Sequence, residues 1–103
     1  MKNFYKKLKN ITLASLKQKK NELWDAEGVL HNQLLKFDLR PLKNNAKGGS
    51  FRTKADKMVF DMKDQFIVVD TEELHQYLKD NNTKVVNLEQ LISSLEWNII
   101  LPK

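Results

Sequence analysis

Residues 12–41, TLASLKQKKNELWDAEGVLHNQLLKFDLRP, decide how the first half of this chain is read. Leu16, Leu23, Leu30 and Phe37 recur every seven residues, with Leu13 and Leu34 three positions ahead of Leu16 and Phe37. That spacing lays one apolar stripe along a helix. Thr12 can cap its start, and Arg40-Pro41 ends it, because the residue before proline is pushed out of the α region. Gly28 falls inside the stretch and marks a kink or a break. Lys20 and Glu27 interrupt the seam, so a plain coiled coil is disfavoured, but pairing of two copies through Leu16, Leu23, Leu30 and Phe37 stays open.

Working outward, Phe4, Leu8 and Ile11 share one face of a short segment, with Lys2, Lys6 and Lys9 opposite. Residues 41–55 read as a loop, since Asn44-Asn45 and Gly48-Gly49-Ser50 are turn chemistry. Met58 to Met62 and Gln65 to Val69 are strand-like runs around Lys63-Asp64, a hairpin pattern. Asp70 or Thr71 then caps a helix from Glu72 to about Lys79, with acids in its first turn. Lys84 to Val86 reads as a strand, Asn87 with Gln90 as the start of a helix through Leu95, and Trp97 to Leu101 as a last strand stopped by Pro102. The expected fold is α+β, a long N-terminal helix packed on a small C-terminal sheet of β-β-α-β-α-β order. It is expected as one domain over 1–103, with a helical half (1–40), a basic glycine-containing loop (41–55) and an α+β half (56–103).

Composition narrows the function classes. The longest apolar run, Phe66 to Val69, is far short of a membrane-spanning helix. Lysines break up the N-terminal residues, so no apolar stretch of leader length follows them. With no cysteine, the chain carries no disulfide framework and no thiolate metal site. These features point to a cytoplasmic protein without a cofactor.

The net charge of +5 matters less than its distribution. Residues 1–20 hold seven lysines and no acid, and residues 40–57 carry a net +5. The two segments between and after them are net acidic. Alternating blocks of this kind point to a charged partner. Lysines beside Phe4, Tyr5 and Leu8 suit phosphate contacts, with Tyr5 able to stack on a base, and the same pattern would suit an anionic membrane surface. In the second block, Gly48 and Gly49 allow close backbone approach to a phosphate, Arg52, Lys54 and Lys57 follow, and Phe51 offers an aromatic. The bland alternative is that both blocks only solvate an outer face and a loop.

Catalytic chemistry finds little support. The loop lacks the spacing of a phosphate-binding GxxxxGK[ST] loop. Asp61-Met62-Lys63 has the acid-x-Lys order of some metal-dependent nucleases, but a second acid would have to come from Asp56 or the helix, and Lys63-Asp64 is better explained as a turn. His31 and His75 have no ligand partner at helical spacing, and no strained nucleophile turn stands ready to use the acids near His75. Trp97 reads as core. Trp24, off the stripe, could anchor an interface or cap the edge of the core.

The expectation is therefore a small binding protein that contacts nucleic acid, RNA or DNA, or a nucleoprotein. The contacts fall on Lys2, Lys6, Lys9, Lys17, Lys20 and Trp24, and on Arg40, Lys43, Lys47, Phe51, Arg52, Lys54 and Lys57. The alternative is an inhibitor or adaptor that binds an acidic protein surface, such as a mobile-element product directed at a nucleic-acid-processing complex.

Overall fold

The computed structural model describes residues 2–41, 53–82 and 88–103. Along the chain run α1 (Lys2–Tyr5), β1 (Lys9–Leu13), α2 (Leu16–Glu22), β2 (Ala26–Leu30), β3 (Gln33–Pro41), β4 (Lys57–Asp61), β5 (Gln65–Asp70), α3 (Thr71–Asp80), α4 (Leu88–Ser94) and β6 (Asn98–Pro102). The six strands form one sheet in the order β1-β2-β3-β4-β5-β6. Neighbours are antiparallel except β3 and β4, which run parallel. No described helix is long and apolar enough to cross a membrane.

This overturns both the expected long helix and the small C-terminal sheet it was to cover, because β1, β2 and β3 of the N-terminal half belong to the same sheet as β4, β5 and β6. The stretch from Ala26 to Pro41 is a hairpin of two strands, and α2 is only seven residues long. Residues seven apart can share a helix face, but Ala26, Gly28 and Leu30 are buried at a period of two, and that alternation governs here. The turn is His31-Asn32, both left-handed (φ 50° and 66°), the geometry that matches the natural twist of a two-residue hairpin. The stripe is dispersed in consequence. Leu16 is exposed, Leu23 is the left-handed cap of α2, and Leu30 and Phe37 are buried in the sheet. Such residues present no common face through which two helices could pair.

Two further N-terminal assignments change. Thr12 lies inside β1, and Ser15 caps α2 through a reciprocal pair: Gln18 N–H donates to Ser15 Oγ and Ser15 N–H donates to Gln18 Oε1. Gly28 is no kink. A Cβ built there would sit 3.1 Å from Leu8 Cβ and Cδ1, so the missing side chain lets the chain after α1 lie close on β2.

The second half follows its local signals more closely. The β4–β5 hairpin and α3, capped by Asp70 accepting from Glu73 N–H, stand where the sequence places them. Helix α4 and strand β6 occupy the last segment. The Lys84–Val86 strand and Asn87 lie outside the described residues.

Alternation on β4 and β5 builds a core on each face of the sheet. On one face Met58, Phe60, Ile67 and Val69 pack with Leu74 of α3 and Leu91 of α4. On the other, Phe37, Val59, Phe66 and Val68 pack with Phe4 and Leu8, and Phe4 meets the rings of Phe37 and Phe66 edge-on at 5.2 and 5.4 Å.

Candidate nucleic-acid interface

Three connections place the basic residues. The Ser15 capping box starts α2, and Leu23 in the left-handed conformation stops it, its N–H donating to Gln18 O. Segment 53–56 is then stitched to the end of that helix. Lys54 N–H donates to Glu22 O at 2.9 Å, and Thr53 Oγ1–H donates to Leu23 O at 3.3 Å. Asp56 fixes the same segment to β3 and α3, because its carboxylate accepts from Lys36 N–H, its N–H donates to Lys36 O, and its carbonyl accepts from Thr71 N–H.

The stitched segment forms the floor of a groove. One compartment, about 460 Å³, is lined by Lys20, Asn21, Glu22, Leu23, Thr53, Lys54 and His75. A larger one, about 870 Å³, shares Thr53, Lys54 and His75 and extends past Asp56 and Lys57 to Asp70 and Glu72. Lys20 belongs to the first basic block and Lys54 to the second. They line the same groove.

The groove's acids are partly spoken for. Asp70 is paired with Lys57 Nζ at 2.7 Å and caps α3, while Asp56 is held by Lys36 N–H. Glu72, in the first turn of α3, is exposed, and Glu22 stands in the lining with Lys20 and Lys54, so the Lys20 end sets two lysines against one acid and the far end is more acidic.

The candidate residues sort into three groups. Lys6, Lys9, Lys17, Lys20 and Lys54 are exposed. Arg40 and Lys57 are engaged within the fold: Arg40 holds Asp38 through Nε and Nη2 at 2.9 Å each, and Lys57 lies buried between Asp70 and the Trp97 ring. Trp24 is interior, 3% exposed with Lys36 over its ring, so the core-edge alternative describes its place. The described structure does not extend to the Lys2 side chain or to Lys43, Lys47, Phe51 and Arg52.

Among the described residues no Phe, Tyr or Trp side chain is exposed. Tyr5 is half-buried, and burial together with the charge of Asp25 raises its pKa above 10.0, so its hydroxyl stays neutral. In the acid-x-Lys pattern Asp61 pairs with Lys103, and Met62 N–H closes the turn on Gln65 O. No group of three metal-ligating side chains stands together among the described residues. His31 sits in the hairpin turn, and His75 lines the groove.

No family model, curated protein or solved structure matches the chain. What the groove can bind therefore follows from its own chemistry. Sequence reasoning missed Thr53, Asp56 and Thr71 as groove residues. Their placement depends on the parallel β3–β4 pairing, which leaves no local mark. The Ser15-x-x-Gln18 box was the readable signal that α2 starts late, and it locates Lys20 on the last turn.

Proposed function

We propose that this chain is a binding protein that docks the phosphate backbone of a nucleic acid on the lysines of α2 and on Lys54. The observation that carries the reading is the meeting of Lys20 and Lys54 in one groove. Two charge blocks separated in sequence thereby act on one ligand, and a polyanion is the ligand class that gains from both. With no exposed Phe, Tyr or Trp among the described residues, recognition there is by charge and shape and reads phosphate more than base.

Fluorescence anisotropy with labelled single-stranded RNA, single-stranded DNA and duplex DNA tests this across about 50 to 300 mM salt. The logarithm of affinity should fall linearly with the logarithm of salt concentration. Lys20→Glu with Lys54→Glu should weaken binding and flatten that slope by roughly 1 for each phosphate left without its lysine. Absence of binding at the lowest salt, or an unchanged slope in the double variant, would refute the reading.

A further inference from the structure

A second surface, the open β1 edge of the sheet, carries an argument from its backbone and its aliphatic side chains. Strand β1 is one of the two edge strands of the sheet, and all five of its residues are exposed. Its register with β2 fixes which backbone groups are unused. Ala14 N–H donates to Asp25 O, and Leu13 and Thr12 face Ala26 and Glu27. Pairs alternate along an antiparallel ladder, so Leu13 stands opposite Ala26 as a non-hydrogen-bonded pair. The N–H and C=O of Leu13 therefore point outward, away from β2, as a ready start for another ladder.

The side chains around that edge are unusual for a surface that only meets water. Ile11 is 39% exposed, Leu13 61% and Leu16 86%. In the sequence flanking them Lys6, Lys7, Lys9, Lys17, Lys19 and Lys20 are all exposed, with Lys19 3.8 Å from Asp25. Protective devices are partial. The ladder is irregular between Lys9 and Thr12, with Asn10 at φ 55°, but the Thr12–Ala14 stretch is regular and contains no proline.

We propose that the β1 edge docks an extended segment of a partner protein, one that alternates acidic and apolar residues and joins the sheet as an added strand. Backbone hydrogen bonds at Leu13 supply the pairing, the apolar positions cover Ile11, Leu13 and Leu16, and the acids meet the lysines. A second copy fits this edge poorly, because β1 against β1 would bring together two segments that each hold seven lysines and no acid. A nucleic acid could meet the lysines but would leave Ile11, Leu13 and Leu16 uncovered, so it fits the edge less well than an apolar-acidic strand.

The probe is a capped, fluorescent peptide of about eight residues alternating glutamate and valine, long enough to span a strand. Two control peptides accompany it, one with lysine in place of glutamate and one N-methylated at the amides that would face β1. The acidic peptide should bind saturably and slow hydrogen exchange at the Leu13 amide. N-methylation should weaken binding about tenfold, near the worth of one backbone hydrogen bond. Leu13→Glu with Leu16→Glu should also weaken it about tenfold, and both sites are exposed, so the fold is preserved. Equal binding of the N-methylated peptide would reduce the effect to charge and overturn strand addition. So would no binding of the acidic peptide, saturable binding of the lysine peptide, or unchanged exchange at Leu13. A β1-mediated dimer seen by sedimentation, and abolished in the double variant, would assign the edge to a second copy and overturn the proposal likewise.

Discussion

Lys57 Nζ lies 2.7 Å from Asp70 Oδ1 across the β4–β5 pair, while the other oxygen of the same carboxylate accepts the Glu73 N–H at 3.1 Å. One side chain thus closes a largely buried ion pair and caps α3. The Trp97 ring covers the ammonium at a centroid distance of 3.8 Å, and Glu73 accepts from Trp97 N–H to hold that ring's backbone against α3. Removing one partner of such a pair strands the other charge in a site poor in water. Asp70→Ala should cost roughly 2–4 kcal/mol, combining a missing cap with an orphaned ammonium. Asp70→Asn can still cap the helix and should cost distinctly less. Urea unfolding of both variants separates the two contributions, and equal losses would show that the cap contributes nothing.

Phe4 is the anchor of α1. A four-residue helix has no stability of its own, and its place on the sheet depends on what it buries. Phe4 is fully buried, edge-on to Phe37 and Phe66. Phe4→Ala should cost about 3–5 kcal/mol, and limited proteolysis should then cut near residues 6–10. A loss below about 1 kcal/mol would mean that the N-terminal segment is not anchored in this way.

Gly28→Ala tests how closely the chain after α1 approaches the sheet. The added methyl would meet Leu8 at 3.1 Å and the Lys9 carbonyl at 3.3 Å, and Leu8 Cβ is not the yielding end of a flexible side chain. The expected loss is about 1–2 kcal/mol by overpacking, although alanine is the better residue in an unstrained strand. A stabilised variant would mean that the segment slides away at no cost.

The uneven legibility of the chain has a physical cause. In 56–80 the signals are local: Lys63-Asp64 between two apolar runs, and Asp70 ahead of two glutamates, specify a hairpin and a capped helix wherever they are placed. In 12–41 they conflict. The heptad spacing of Leu16, Leu23, Leu30 and Phe37 masks the shorter alternation of Ala26, Gly28 and Leu30, which the hairpin follows. His31-Asn32 is a turn that tolerates positive φ without the glycine that usually announces it. At the groove, the exposed lysines were legible because charge blocks stand out. The burial of Lys57 was not, since its ion pair and its contact with the Trp97 ring join residues far apart in the sequence, and Trp24 was left open between an interface and the core edge.

Tyr5 gives the alkaline limb of stability. Burial first, and the charge of Asp25 second, hold the phenol neutral above its usual 10.0. The unfolded chain releases that proton sooner than the folded one, so the contribution of Tyr5 is complete below pH 10 and declines as the pH rises through the folded value. Lysines titrate in the same range, so the comparison must be with Tyr5→Phe, which keeps the ring and removes the ionising group. Urea unfolding from about pH 8 to 11 should show wild type losing ground to the variant only above about pH 10. A constant difference across that range would place the hydroxyl in water in the folded state, and would separate the Tyr5 ring from the core around Phe4 that it flanks.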